Sequence, residues 1–69
     1  MEELEMFKVY SYEGDVLATF DTVNEAMVYA KKGLRAGGRS RRIKSTVYNK
    51  VLYSVRKDGD GKYVILDLR

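Results

Sequence analysis

The chain has no cysteine and no histidine among its 69 residues, and these absences exclude several classes of site. Without cysteine there can be no disulfide, and without either residue there is no thiolate or imidazole metal site and no triad built on a histidine base. The sequence also lacks a Gly-x-Ser-x-Gly motif and a Walker motif. We therefore expect a protein that is not an enzyme and that carries no metal and no cofactor.

Long apolar runs are also missing, since no stretch approaches the roughly 20 residues that a membrane-spanning helix needs. The chain begins Met1-Glu2-Glu3, which is opposite in sign to the basic start of a signal peptide. These features predict a cytoplasmic protein that does not contact a membrane.

A chain of 69 residues has room for one domain, which we expect to span 1–69 with a frayed tail at 1–5. A core of this size rarely supplies more than about 3–5 kcal/mol. Oligomerisation, for example as a homodimer, is the reinforcement that the missing cysteines and histidines leave open.

Acidic residues are absent from 26–57, a region that carries ten bases. Residues 1–25, by contrast, hold seven acids and Lys8 as their one base. The net charge of +3 therefore hides a strongly dipolar chain, in which seven bases fall between Lys31 and Lys44. Such a segment predicts binding to a polyanion such as nucleic acid, or to an acidic protein surface.

The basic segment 31–44 is the main candidate site. Arginine binds phosphate through two parallel hydrogen bonds, and glycines let backbone N–H groups approach an anion closely. The absence of acids favours a binding surface, because a surface that only keeps a protein soluble mixes both signs. The predicted nucleic-acid or anion-binding residues are Lys31, Lys32, Arg35, Gly37, Gly38, Arg39, Arg41, Arg42 and Lys44.

Six tyrosines accompany these bases. Proteins bind single-stranded nucleic acid by stacking its nucleobases on aromatic side chains that lie beside lysine and arginine. Half-buried strand tyrosines, or a dimer or partner interface, explain the same pattern. The candidates for stacking or for an interface are Tyr10, Tyr12, Leu17 and Tyr48.

Residues 7–20 read as a hairpin around a two-residue turn, Glu13-Gly14. In that register position i pairs with 27 − i. One face then carries Phe7, Val9, Val16, Ala18 and Phe20. The other carries Lys8, Tyr10, Tyr12, Leu17 and Thr19.

Thr22-Val23-Asn24-Glu25 matches a capping box and predicts the start of a helix at this point. Gly37 is the residue expected to end the helix in the left-handed conformation. The apolar positions at helical spacing are Val23, Ala26, Met27, Ala30 and Leu34.

Three further strands are predicted at 41–48, 51–56 and 62–68, the last two joined by a turn at 58–61. Asn49-Lys50 is either a tight turn between two strands or a bulge in one long strand. The last hairpin is expected to share one face among Tyr53, Val55, Val64, Leu66 and Leu68. The predicted fold is α+β, in the order β-β-α-β-β-β, an antiparallel sheet with one helix packed on one face.

The stretch 20–30 joins a hairpin strand to the pattern Thr-x-x-Glu-Ala-x-x-x-Ala. It resembles the hairpin-plus-helix layout of small phage-encoded host-takeover proteins such as the RNA polymerase inhibitors of T7-like phages. It is also similar to the arm-binding domains of phage integrases, which bind DNA through a sheet. These resemblances imply a phage or mobile-element regulatory protein. The C-terminal hairpin and the arginines around Gly37 and Gly38 depart from the inhibitor pattern, so no functional residue is carried over.

Three functions follow as hypotheses. The first is a non-enzymatic protein that contacts the nucleic-acid backbone through 31–44. The second is an inhibitor or adaptor that binds a host protein complex, either RNA polymerase or a defence system. The third is an oligomeric sponge for an anionic nucleotide.

Overall fold

A computed structural model describes residues 4–69 and contains one five-stranded antiparallel sheet with a single helix packed on it. The elements are β1 Phe7–Tyr10, β2 Val16–Phe20, α1 Val23–Arg35, β3 Arg41–Ser45, β4 Lys50–Lys57 and β5 Tyr63–Asp67. Their order across the sheet is β2-β1-β3-β4-β5. The predicted α+β fold and its β-β-α-β-β-β order are confirmed. No helix within 4–69 is long and apolar enough to cross a membrane.

The core lies between α1 and the central strands. Val9 of β1 and Ile43 of β3 stand directly opposite each other, and both are fully buried. Burial of an aliphatic side chain of this size contributes about 1.5–3 kcal/mol. The predicted helix stripe is confirmed, with Val23 and Met27 packed at its margin. The buried apolar residues are Phe7, Val9, Ala26, Ala30, Leu34, Ile43 and Val55.

The first hairpin has a three-residue loop, 12–14, instead of the predicted two-residue turn. Ser11 N donates to Asp15 O at 2.8 Å, and Gly14 N donates to Ser11 O at 3.0 Å. Gly14 has a φ of +98°, the left-handed conformation that ends such a loop at low cost. This loop shifts the strand pairing by one residue.

A bulge between Val9 and Tyr10 then restores the predicted register for the rest of the β1–β2 pair. Tyr10 stands opposite Val16 rather than Leu17, whereas Val9 faces Ala18 as predicted. The expected place of Val16 on the apolar face is therefore wrong, because the bulge sets it opposite Tyr10, on the other side of the sheet.

The second hairpin uses the same turn without a compensating bulge. Asp58 N donates to Lys62 O at 2.8 Å, and Gly61, with a φ of +80°, donates to Asp58 O at 3.1 Å. The Asp58 carboxylate also accepts from Asp60 N and Lys62 N, each at 2.9 Å. The Asp58 carboxylate therefore provides hydrogen-bond acceptors for two backbone N–H groups of the turn.

The uncorrected shift makes the predicted face of the last hairpin wrong. Val55 stands opposite Ile65, whereas Val64 stands opposite Arg56 and Leu66 opposite Ser54. Opposite residues of an antiparallel pair share a face, so Tyr53 and Val55 lie toward the helix while Val64 and Leu66 lie away from it. The three-residue loop 59–61 is the physical reason.

The connection between β3 and β4 is a turn at 46–49, which decides between the two alternatives for Asn49-Lys50. Asn49 has a φ of +50°, and Lys50 already pairs with Ser45. The predicted strand 41–48 is three residues too long. The strand ends at Ser45, whose Oγ accepts a hydrogen bond from Tyr48 N at 3.3 Å. This side-chain bond replaces a strand-to-strand hydrogen bond of the backbone.

The same hydroxyl ties down part of the expected N-terminal tail. Ser45 Oγ donates to Glu5 Oε2 at 2.6 Å, and Met6 exchanges hydrogen bonds with Thr46. Residues 1–3 of that tail lie outside the described residues.

Both helix ends follow the sequence signals. Thr22 Oγ1 accepts from Glu25 N at 3.2 Å, as the capping box predicts. At the other end Gly37 N donates to Leu34 O at 3.1 Å, and Gly38 N donates to Gly33 O at 3.0 Å. Gly37 has a φ of +96°, so the helix ends in a Schellman motif.

Gly33 and Gly38 leave room for Arg41, which packs against them. A Cβ at Gly38 would lie 2.6 Å from Arg41 Nη2 and 2.8 Å from Gly33 O. The second contact is with backbone, so it cannot be relieved by a side-chain movement alone. The lack of a side chain at Gly33 and Gly38 therefore lets Arg41, at the start of β3, pack against the end of the helix.

We predict that Gly38→Ala lowers the free energy of unfolding by about 1–3 kcal/mol, the usual cost of overpacking. Gly59→Ala is the matched control, because a Cβ there meets nothing within 4 Å. Its free energy of unfolding should change by less than about 0.5 kcal/mol. Urea unfolding of both variants measures the difference, and equal stabilities would contradict the packing argument.

Candidate nucleic-acid interface

The fold divides the predicted basic segment between different sides of the sheet. Lys32 and Arg35 are exposed on the last turns of α1, on the helix side. Arg42 and Lys44 occupy the opposite side, because they alternate with Arg41 and Ile43 along β3. The segment is therefore not one surface.

Three cations of the segment lie beside tyrosine rings: Lys31, Arg39 and, on the other side of the sheet, Lys44. Lys31 Nζ is 5.7 Å from the centroid of Tyr63, whose hydroxyl donates to Lys31 O at 3.2 Å. The guanidinium of Arg39 is 5.0 Å from the ring centroid of Tyr12. Such cation–π contacts contribute about 0.5–1 kcal/mol at exposed sites. Lys31 and Tyr63 thus join α1 to β5.

Arg41 serves the packing of the helix end. Its guanidinium lies against Gly33 and Gly38, and its buried Nε has no hydrogen-bond partner among the described residues. The C-terminal end of a helix carries partial negative charge, which favours a cation there. Gly37 and Gly38 use their N–H groups within the cap and have none left for an anion.

The sheet face away from α1, which we call the open face, gathers most of the remaining basic side chains of the strands. Its members follow from strand alternation and from the pairing of neighbours. They are Lys8, Tyr10, Val16, Thr19, Arg42, Lys44, Val51, Ser54, Arg56, Val64 and Leu66.

Four bases and no carboxylate occupy the strand positions of the open face within 4–69. The bases are Lys8, Arg42, Lys44 and Arg56. Asp67 is the one carboxylate in any strand of this part of the chain, and its partner Tyr53 places it on the helix side. It pairs with Arg69 at 3.0 Å, and the hydrogen bond from Arg69 lowers the pKa of Asp67. Every charged strand residue of the open face within 4–69 is therefore basic.

Two of these bases stand directly opposite each other. Lys8 of β1 pairs with Lys44 of β3, and Tyr10 pairs with Arg42 in the same ladder. Like charges opposed across two strands destabilise a sheet. Lys44 Nζ lies 5.7 Å from the centroid of the Tyr10 ring, which offsets part of this cost. The remaining repulsion favours an anion bound near the two lysines.

A shallow cavity opens at the same place. It has a volume of about 180 Å³ and is lined by Tyr10, Gly14, Arg42, Lys44 and Val51. An aromatic ring, a guanidinium and an ammonium group thus line one concave site.

Sequence reasoning missed Lys8 and Arg56. Lys8 lies in the acid-rich part of the chain, and it joins the other bases because β1 pairs with β3. Alternation along each strand indicates on which face a residue lies, but strand order decides which bases become neighbours. Of the candidate aromatics, Tyr10 lies on the open face, whereas Tyr12 and Tyr48 are exposed in loops. Leu17 lies at the bulge of β2, exposed to solvent.

Comparison with protein-family models, curated proteins and solved structures finds no match to this chain.

We predict that Lys8→Met raises the free energy of unfolding at low salt by about 0.2–1 kcal/mol, because it removes one of two opposed charges. Methionine keeps a long apolar side chain at this half-buried position. The gain should shrink as salt is added, since salt screens the repulsion. Lys62→Met, in the exposed second turn, is the control and should show no such gain in urea unfolding at two salt concentrations.

Proposed function

We propose that this protein is a non-enzymatic module that binds the phosphate backbone of nucleic acid with its open face. The observation that carries the proposal is the pairing of Lys8 with Lys44, beside Arg42 and Arg56, on a face without a strand carboxylate. The surface is costly for the free protein and favourable once phosphates neutralise it.

Phosphate contacts position a protein on nucleic acid but carry little sequence information. The charged strand residues of the open face are four cations, which suit phosphates, so we expect recognition to be largely independent of sequence. Neutralising one phosphate per cation predicts a log–log salt slope of about −3.6 on duplex DNA and about −2.8 on a single strand.

Tyr10 has a second role in this proposal. Its ring lines the cavity together with Arg42 and Lys44. A nucleobase of a single strand can stack on this ring while the neighbouring phosphates contact the two cations. The partner Val16 extends the same row with an apolar, exposed side chain.

The sequence-derived site changes in composition under this proposal. Arg42 and Lys44 remain, and Lys8 and Arg56 join them. Arg41, Gly37 and Gly38 leave the set because they build the helix end. A regulatory role in a phage or mobile element, which the resemblance implies, is compatible with such a module.

An acidic surface of a host protein is the second candidate partner. Val64 and Leu66 lie beside Arg56 and Ser54 on the open face, and 48% of the Leu66 surface is exposed. A mixture of apolar and basic side chains suits a protein surface as well as a nucleic acid. Capture from nuclease-treated lysate separates the two, because a protein partner survives that treatment.

We predict that Arg42→Gln together with Arg56→Gln weakens binding to DNA and makes the salt slope less steep by about 1.8. The matched control is Arg35→Gln with Arg39→Gln, which removes the same charge from the predicted segment but not from the open face. This control should leave the slope within about 0.5 of wild type. Fluorescence anisotropy with a labelled oligonucleotide at several salt concentrations measures both variants.

Two results would count against the proposal. If wild type binds neither DNA nor RNA at low salt, nucleic acid is not the partner. If the control pair loses as much slope as Arg42 and Arg56, the interface is the helix end and not the open face.

A further inference from the structure

A second surface lies at the β2 edge of the sheet, beside the helix. A groove of about 420 Å³ runs between α1 and β2 there, and we call it the edge groove. It is lined by Phe20, Asn24, Glu25, Val28, Tyr29 and Lys32. None of these residues belongs to the open face.

Strand β2 leaves one backbone edge without a strand partner within 4–69. It pairs with β1 alone, and its five residues, Val-Leu-Ala-Thr-Phe, include no charge and no proline. Edge strands of monomeric proteins are normally protected by charged side chains, proline or bulges. Here the bulge near Leu17 protects one end only, so the rest of the edge is suited to pairing with another strand.

The groove beside this edge exposes apolar side chains. Val28, in the middle of α1, has 53% of its surface exposed. The rings of Phe20 and Tyr29 lie 5.4 Å apart, centroid to centroid, and form the wall of the groove. An apolar wall next to an open strand edge matches the anatomy of a protein interface.

The charges of the groove identify its occupant. Glu25 lies three residues before Val28 and Lys32 lies four residues after it, so the groove has an acidic and a basic end. A two-fold axis beside Val28 reverses the helix direction and sets Glu25 of one copy toward Lys32 of the other. The groove is therefore complementary to itself, as a two-fold interface requires.

We propose that a second copy of this chain docks on the edge groove, with β2 antiparallel to β2 of its partner. The pairing satisfies the open backbone edge and buries Val28, Phe20 and Tyr29. It also enlarges a core that is small for independent stability. The two sheets become one continuous sheet with both open faces on the same side. The dimer therefore doubles the basic surface, and none of that surface is buried in the dimer interface.

The test measures oligomeric state by sedimentation equilibrium over a range of protein concentrations, on protein freed of nucleic acid. Wild type should form dimers. Glu25→Lys and Lys32→Glu should each raise the dimer Kd at least about tenfold, because each sets like charges against one another. The double variant restores the complementarity, and its Kd should return to within about threefold of wild type.

Lys62→Glu changes the charge of the exposed second turn and should leave the Kd unaltered. Circular dichroism confirms that each variant is folded. Amide hydrogen exchange of 16–20 gives a second readout, since β2 should become more protected as concentration rises. A wild-type monomer at about 1 mM would overturn the proposal, and so would a double variant as weak as the single ones. Added edge-strand peptides that protect 16–20 in a monomeric chain would point to a foreign strand as the occupant and would also overturn it.

Discussion

The pairing of β1 with β3 is the contact on which the rest of the molecule depends. These strands are separated in the chain by β2 and α1, and they meet with Phe7 opposite Ser45 and Tyr10 opposite Arg42. On the helix side this register sets Val9 against Ile43, at the centre of the core. On the other side it sets Lys8 against Lys44, so one ladder produces both the core and the basic surface.

The helix end determines which arginine belongs to which side. Arg41 packs against Gly33 and Gly38, and this contact holds the first residue of β3 toward the helix. Alternation then directs Arg42 to the open face. Consecutive arginines thus have different roles, one in packing and one at the surface.

Stability and binding are in tension in this small domain. The open face sets Lys8 opposite Lys44, a like-charge pair that destabilises the sheet. The edge groove leaves Val28 and the outer edge of β2 exposed. In the two proposals made above, phosphate neutralises the first surface and another copy of the chain covers the second.

The sequence by itself determined the elements whose signals are local. The Thr22 cap, the left-handed Gly37 and the apolar stripe of α1 depend on near neighbours, and they match prediction. Both glycine turns were also recognised, but their loops contain three residues and shift the pairing by one. In the first hairpin the bulge reverses that shift, so Val9 lies on the predicted face. The second hairpin has no such bulge, so Val64 lies on the face opposite to the predicted one. Only the tertiary structure decided where a bulge forms and in which order the strands pair, and the strand order in turn decided the neighbours of Lys8. Both depend on packing between residues that are far apart in the chain.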